Sequence, residues 1–226
     1  MDGRQGIARC QSFGKIGEFM ANTQLYIISP PVFELDDFAG QLTEALNGGP
    51  VASLQLRMKD ASDEDIIAAA EMLMPICHAH EVAFIINDRP DIAKKVDADG
   101  VHIGQDDMSY EAARAIVGDD RIVGVTCKDS RHLSMTAAEE GANYVAFGAF
   151  FPTKTKETTT AADRAILSWW VELFEVPCVA IGGITLDNAK ELIDTGVDFL
   201  AVSGGIWNYN QGPKEAVKQF NALFNA

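Results

Sequence analysis

Short apolar runs rich in β-branched residues alternate with longer amphipathic segments along most of the chain. Most of the runs are apolar almost throughout, which is typical of strands covered on both faces in a parallel sheet. We therefore expect parallel strands separated by helices. The expected strands are Gln24–Ser29, Ala52–Arg57, Val82–Asn87, Gly100–Ile103, Ile122–Thr126, Tyr144–Gly148, Cys178–Gly182 and Phe199–Ser203.

The segments between these runs predict the helices. Ser62 and Asp65 have the spacing of a capping box, and Thr185 is expected to cap a later helix. Pro75 is expected to kink or end the helix that contains it. The expected helices are Leu35–Leu46, Ser62–His78, a helix that begins near Pro90, Ser109–Val117, Leu133–Glu140, Asp163–Phe174, Leu186–Thr195 and Lys214–Leu223.

Eight β–α units within residues 23–226 predict a single α/β domain with the (β/α)8 barrel fold. An open doubly wound sheet is the alternative. No GxGxxG pattern follows the first run, which disfavours dinucleotide binding. Residues 1–22 contain four glycines and show weak periodicity, so we expect a loose N-terminal extension there.

The charge balance excludes some classes of function. The chain has 18 Lys and Arg against 33 Asp and Glu, and a net charge of −15 argues against general binding of nucleic acid or anionic membranes. Hydrophobic residues make up 47% of the chain, which excludes a mostly disordered protein. With no secretory signal, no membrane-length apolar stretch and four cysteines without zinc-site spacing, we expect a reduced cytoplasmic protein. A homo-oligomer is compatible with this composition.

Polar residues at the end of the second run predict an anion site. In a (β/α)8 barrel the active site lies at the carboxyl ends of the strands. Gln55, Arg57 and Lys59 alternate along the chain and therefore share one face of the extended backbone. An amide and two cations on one face suit an anionic group, and the alternative is a solvated loop rim.

Two carboxylates follow the next two strands. Asn87 and Asp88 end the third run, and Asp107 comes shortly after the fourth. Hard oxygen ligands beside cations predict a Mg²⁺ site that leaves room for substrate phosphates. Capping by the two aspartates explains the spacing equally well. His102 lies mid-strand, where a barrel-interior histidine with satisfied hydrogen bonds is the better explanation.

Two further loops have the chemistry of phosphate binding. After the sixth run, Thr153, Thr155 and Lys156 offer hydroxyl donors and a cation to a diphosphate, with a polar surface loop as the alternative. Gly182–Gly183 and Gly204–Gly205 end the seventh and eighth runs. Loops after these two strands are the recurrent phosphate site of the barrel, which we favour over simple tight turns.

Residues 24–210 resemble the thiamine-phosphate synthase family. The resemblance rests on seven motifs in order, QLRMK, INDRPDIA, ADGVHIGQDDM, GANYVAFG, FPTKTK, AIGGIT and VSGGI. It implies that two small-molecule substrates, a hydroxymethylpyrimidine diphosphate and a hydroxyethylthiazole phosphate, give thiamine phosphate and pyrophosphate. It also implies a dissociative mechanism, in which pyrophosphate leaves first and the thiazole nitrogen traps a pyrimidine carbocation.

The resemblance implies a role for each site residue. Mg²⁺ would be bound by Asp88 and Asp107. The diphosphate would be held by Arg57, Lys59, Asn87 and Lys156, of which Arg57, Lys59 and Lys156 are the expected catalytic residues. The pyrimidine would be faced by Gln55 and Thr126. The thiazole phosphate would be held by Thr153 and Thr155 with backbone groups of Gly182, Gly183, Val202 and Ser203.

The chain departs from the family pattern at three places. Ala149 stands where the family commonly has Pro, Thr126-Cys127-Lys128 replaces the usual end of the fifth strand, and the ETTTAAD segment lacks an expected glycine. A related thiazole tautomerase uses a histidine at the position of Ala149, which argues against that isomerase activity. A non-catalytic binder of thiamine precursors is a second alternative, against which the retained Asp88, Asp107 and Lys156 argue.

Overall fold

Eight parallel strands form a closed barrel in sequence order. The computed structural model of the chain describes residues 23–152 and 162–226. Strand β8 pairs with β1, which confirms the barrel and excludes the open sheet. The strands are β1 (Gln24–Ile28), β2 (Ser53–Leu56), β3 (Ala83–Asn87), β4 (Gly100–Ile103), β5 (Ile122–Lys128), β6 (Tyr144–Gly148), β7 (Cys178–Ile181) and β8 (Phe199–Val202).

Helices connect the strands on the outside of the barrel. Within the described residues they are α1 (Leu35–Leu46), α2 (Asp63–Ala79), α3 (Pro90–Lys95), α4 (Tyr110–Val117), α5 (Arg131–Glu140), α6 (Ala165–Leu173), α7 (Lys190–Ile193), α8 (Gly204–Trp207) and α9 (Pro213–Phe224). Ser62 caps α2 as predicted, since its hydroxyl accepts a hydrogen bond from the Asp65 N–H. None of these helices is both long and apolar enough to cross a membrane.

The structure corrects three of the helix predictions. Pro75 does not end α2, because Leu73 and Cys77 on either side of it are fully buried and hold the helix against the barrel. In the segment predicted as Leu186–Thr195 only α7 is helical. The Thr185 side chain does not cap it, because the Asn188 Oδ1 accepts from the Thr185 N–H in a turn instead. Helix α8 was not predicted, because four residues are too few for a periodic pattern.

The buried side chains fall into two layers. One lies between the strands and the surrounding helices and includes Leu54, Phe84 and Trp170. The other fills the barrel interior and includes Tyr26 and Tyr144. Strands buried on both sides explain why the runs are apolar throughout, as the sequence predicted.

Three similar side chains close the amino end of the barrel. Asp99, Asn143 and Asp198 each precede an even-numbered strand, and each accepts a backbone N–H from the strand before it. The Asp99 Oδ2 lies 2.7 Å from the Phe84 nitrogen, and the other two contacts measure 2.8 Å. These side chains replace strand-to-strand bonds that the staggered ends of a barrel cannot make.

Replacing Asn143 tests this closure. Its Oδ1 accepts from both the Val123 N–H and the Arg114 guanidinium, so Asn143→Ala leaves two donors without that acceptor. We expect the free energy of unfolding to fall by about 1–3 kcal/mol, measured by urea denaturation. The control is Asn47→Ala, which removes an exposed amide at the end of α1. Equal stability of the two variants would contradict the assignment.

Candidate active site

The predicted site residues within the described ranges converge at the carboxyl end of the barrel. Gln55 lies in β2 and Thr126 in β5, both with side chains toward the barrel interior, where they bond to other interior residues. The other predicted site residues lie at or just after the carboxyl end of a strand. They are Arg57, Lys59, Asn87, Asp88, Asp107, Gly182, Gly183, Val202 and Ser203. Thr153, Thr155 and Lys156 lie outside the described residues, as does the N-terminal extension 1–22.

Two cations follow β2. The Arg57 backbone is fixed by the neighbouring strand, because its N–H donates to the Ser29 hydroxyl over 2.9 Å. Within residues 23–152 and 162–226 the Arg57 guanidinium makes no ion pair. The Lys59 Nζ lies 3.5 Å from the Asp88 Oδ2. Among the described residues, Arg57 therefore has no carboxylate partner, whereas Lys59 lies beside Asp88.

Two carboxylates from adjacent loops meet next to Lys59. Asp88 is held by its N–H, which donates to the His102 carbonyl over 2.7 Å. The Asp107 Oδ2 accepts from the Gly104 N–H over 2.9 Å. Burial and then the nearby Asp107 raise the pKa of Asp88, while Lys59 and the Asn87 side chain act in the opposite direction. The structure thus places two mutually repelling carboxyl groups side by side.

These carboxylates form a pair and not a larger cluster. In the part of the chain that the structure describes, no three His, Cys, Asp or Glu side chains are grouped so that they could hold a metal ion. A divalent cation at this pair would therefore need further oxygen ligands from substrate or water, which is how Mg²⁺ is commonly bound.

A row of polar side chains crosses the barrel interior below this region. Gln55 donates to the Tyr26 hydroxyl, which lies 2.9 Å from the Tyr144 hydroxyl. His102 bonds to Tyr144 through Nδ1 and to Thr126 through Nε2, over 2.9 and 2.7 Å. The prediction that His102 is a barrel-interior residue with hydrogen-bond partners is confirmed.

The sequence analysis missed Tyr26 and Tyr144. Both are fully buried, and burial raises the pKa of each hydroxyl. The sequence did contain a signal for them, because each is a tyrosine within a mostly apolar strand. A buried tyrosine hydroxyl needs a hydrogen-bond partner, so each tyrosine indicates further polar groups in the barrel interior.

Glycines bring the loops after β6, β7 and β8 together. Gly182 and Gly183 have φ angles of +104° and +65°, in the region that favours glycine. A Cβ on Gly182 would lie 2.2 Å from the Cβ of Ala149, and one on Gly205 would lie 2.6 Å from the Ile184 carbonyl. Close backbone packing of these loops therefore requires glycine at positions 182 and 205.

Strand β8 ends beside β1. Val202 is its last residue, and the following Ser203 hydroxyl donates to the Ser29 carbonyl over 3.2 Å. Helix α8 begins directly afterwards, and the first backbone N–H groups of a helix have no acceptor within it. The structure thus places Gly182, Gly183 and Ser203, with Val202 at the end of β8, on the opposite side of the barrel from β3 and β4.

The model of one protein family, described as thiamine monophosphate synthase, matches residues 25–206. The chain belongs to the thiamine monophosphate synthase family. A relative from Rhodospirillum centenum named thiamine-phosphate synthase is 59% identical over 204 residues, covering 90% of this chain and 99% of that protein. A relative of the same name from Hyphomonas neptunium is 47% identical over 209 residues, covering 90% of this chain and 95% of that protein.

A solved structure of the same family has the same fold. It is the thiamine phosphate pyrophosphorylase from Pyrococcus furiosus, with a TM-score of 0.79 and 30% identity, covering 91% of this chain and 96% of that chain. The family match begins in β1 and ends in α8, so it spans the whole barrel and both glycine loops.

Substitution of Gly182 tests the packing of these loops. Gly182→Ala introduces a methyl group that would overlap Ala149, in addition to the cost of about 1–3 kcal/mol for a positive φ at a non-glycine residue. Gly118→Ala is the control, because Gly118 also has a positive φ (+82°) and an added Cβ would lie more than 4 Å from every described residue other than its two chain neighbours. We expect the lower melting temperature for Gly182→Ala. Equal melting temperatures of the two variants would show that the loops accommodate the added methyl group without loss of stability.

Proposed function

We propose that this chain joins a hydroxymethylpyrimidine diphosphate to a hydroxyethylthiazole phosphate, with thiamine phosphate and pyrophosphate as products. The observation that carries the proposal is the grouping of Lys59 with the Asp88–Asp107 pair at the ends of three adjacent strands, with Arg57 directly after the end of β2. Such a group of cations and carboxylates suits a diphosphate with its metal ion, and membership of the family supports this reaction.

The diphosphate binds at the ends of β2, β3 and β4 in this proposal. Arg57 and Lys59 bind phosphate oxygens, Asn87 donates a hydrogen bond, and Lys156 joins them from the loop after β6. These groups stabilise the charge that develops on the leaving pyrophosphate.

The Asp88–Asp107 pair fits a Mg²⁺ ion. Two carboxylates whose mutual repulsion and burial raise the pKa of Asp88 are stabilised in their charged form by a divalent cation. When bound there, Mg²⁺ supplies positive charge to the diphosphate. Asp88 and Asp107 hold the ion, and the Asp88 side chain also orients Lys59.

The second substrate binds at the opposite side of the barrel mouth. The thiazole phosphate is held by backbone groups of Gly182, Gly183, Val202 and Ser203, together with Thr153 and Thr155. The pyrimidine lies between the two phosphate regions and faces Gln55 and Thr126. This places the thiazole nitrogen where it can reach the methylene carbon of the pyrimidine.

The bond changes need no strong protein base. The bond between the methylene carbon and the diphosphate oxygen breaks first, and its electron pair leaves with pyrophosphate. The lone pair of the thiazole nitrogen then forms the new C–N bond to the carbocation.

The two alternatives lack support at specific residues. An isomerase related to the thiazole tautomerases would need an acid–base group where Ala149 packs against Gly182, and a methyl group cannot serve. A non-catalytic binder would gain nothing from bringing Asp88 and Asp107 together against their repulsion.

A direct assay tests the proposal. Purified protein is mixed with both substrates, with and without Mg²⁺, and thiamine phosphate is measured. Product that forms only with Mg²⁺ is the expected result. Folded protein that forms no product in the presence of Mg²⁺ would overturn the proposed function.

Asp88→Asn is expected to abolish most turnover while the fold is retained. The amide keeps an oxygen but loses the charge that holds the metal ion, so we expect kcat/KM to fall at least about 100-fold. Asp63→Asn is the matched control, since Asp63 is an exposed carboxylate paired with Arg89 outside the site. A melting temperature near that of the wild type separates the loss from misfolding. Unchanged activity would remove Asp88 from the metal site.

Lys156→Ala is expected to slow the chemical step. If Lys156 stabilises the leaving pyrophosphate, kcat falls about 100-fold and the KM values change much less. Lys190→Ala provides a control, because Lys190 is exposed on α7 and pairs with Asp194. A change in KM alone would show that Lys156 binds the ground state and does not act in the transition state.

A further inference from the structure

The central members of the polar row in the barrel interior, Tyr26, Tyr144 and His102, have no role in the function proposed so far. Gln55, Tyr26, Tyr144, His102 and Thr126 come from five different strands and form one unbroken series of hydrogen bonds. Barrel interiors are usually filled by apolar side chains, and every buried polar group needs a partner. The two ends of the series, Gln55 and Thr126, are the residues proposed to face the pyrimidine.

The chemistry of the groups gives the series a direction. The Gln55 Nε2 can only donate, so the Tyr26 oxygen accepts from it. The Tyr26 hydroxyl hydrogen then has one acceptor among the described residues, the Tyr144 oxygen. The reverse direction would leave that hydrogen buried without an acceptor, since Tyr26 is 1% exposed.

The direction continues through His102. With Tyr144 accepting from Tyr26, we take its hydroxyl as the donor to the His102 Nδ1, an arrangement that corresponds to the His102 tautomer with its proton on Nε2. That Nε2–H donates to the Thr126 Oγ1 over 2.7 Å. The Thr126 oxygen then acts as an acceptor toward His102, and within residues 23–152 and 162–226 its hydroxyl hydrogen has no acceptor, so it can donate to a ligand.

The series leaves opposite hydrogen-bonding groups at its two ends. Thr126 presents a donor, and Gln55 presents its Oε1 as an acceptor, because within the described residues Gln55 bonds only through Nε2. An aminopyrimidine offers the complementary pair, a ring nitrogen that accepts and an amino group that donates.

Packing holds the series in one arrangement. Tyr144 starts β6 low in the barrel and its ring crosses Gly124, where an added Cβ would lie 1.9 Å from a ring carbon. The rings of Tyr144 and His102 stack with centroids 5.6 Å apart and an 18° angle between planes. Tyr26 meets Tyr144 edge-on at 5.9 Å. The hydroxyl groups therefore have little freedom to change partners.

We infer that Tyr144 and His102 are positioning residues that fix Thr126 as a donor and Gln55 as an acceptor toward the pyrimidine ring. The inference rests on the proposed function for the identity of the ligand. The side-chain hydrogen bonds of both residues lie within the polar row, whereas His102 meets Asp88 through its backbone carbonyl, so substituting either side chain is expected to affect recognition of the ring most.

Tyr144→Phe is the first test, because it removes one hydroxyl and keeps the ring. We expect KM and Kd for the pyrimidine diphosphate to rise about tenfold, the effect of losing one aligned hydrogen bond. The KM for thiazole phosphate and the inhibition constant of pyrophosphate should not change. Tyr110→Phe is the matched control, since the Tyr110 hydroxyl bonds to the Gly141 carbonyl outside the barrel.

A double-mutant cycle shows whether Tyr144 acts through Thr126. In a Thr126→Val background, Tyr144→Phe should raise KM for the pyrimidine diphosphate much less than about tenfold, because the group it orients is already gone. Additive effects, or equal changes in the constants for both substrates, would overturn the inference and indicate a packing role only.

Two variants of His102 test whether a hydrogen-bond donor near Thr126 is what the pyrimidine site requires. His102→Leu removes both ring nitrogens and should raise the pyrimidine KM, whereas His102→Gln keeps a donor near Thr126 and should restore most of the affinity. Failure of glutamine to restore more than leucine contradicts the assignment. If Tyr144→Phe does not fold, Tyr26→Phe removes the preceding hydroxyl and should raise the same constant, and no change would contradict the inference.

Direct binding separates this inference from the proposed function. Kd for the pyrimidine diphosphate is measured by calorimetry for every variant alongside turnover. Wild-type protein that binds this ligand but forms no thiamine phosphate would refute the function and leave the positioning role testable by binding. If the wild-type protein turns over and Tyr144→Phe has the same Kd and KM for the pyrimidine diphosphate as the wild type, the positioning role is refuted and the proposed function stands.

Discussion

Closure of the sheet by pairing of β8 with β1 is the constraint on which the rest of the structure depends. Four residue pairs join these strands, which lie at opposite ends of the sequence. The seam is reinforced at its carboxyl end, where the Ser203 hydroxyl bonds to Ser29 and the Trp207 indole donates to the Ile28 carbonyl. Closure places the glycine loops of β7 and β8 across the same opening as the charged loops of β2 to β4.

A closed barrel also imposes a fixed interior that its side chains must fill. The ring of Tyr144 occupies space that a side chain at position 124 would need, so glycine there is a packing requirement. The interior also shields the hydrogen bonds between Tyr26, Tyr144 and His102 from water. Hydrogen bonds are stronger in such surroundings, so these side chains are held in one orientation. The same closed wall gives Gln55 and Thr126 a rigid base for ligand recognition.

The departures from the family pattern at Ala149 and at Thr126–Lys128 fall where the structure accommodates them, and residues 157–161 of the ETTTAAD segment lie outside the described residues. Ala149 packs its methyl group toward Gly182, and the Ala162 N–H bonds to the Ala149 carbonyl over 2.8 Å. Thr126 retains the hydroxyl that His102 orients. Cys127 is buried beside it with its thiol pKa raised by burial to about 12, and Cys77 and Cys178 are likewise buried, as expected of small hydrophobic residues.

The sequence by itself determined the eight strands to within two residues at each end, and it indicated the charged and glycine loops. These features are local, since apolar runs and loop residues follow from neighbouring positions and the barrel rule places the loops together. Only the tertiary structure decided that Tyr26 meets Tyr144 across 118 positions of sequence and that Asp88 meets Asp107. Such contacts depend on strand register and barrel closure, which cannot be predicted from the pattern of neighbouring residues.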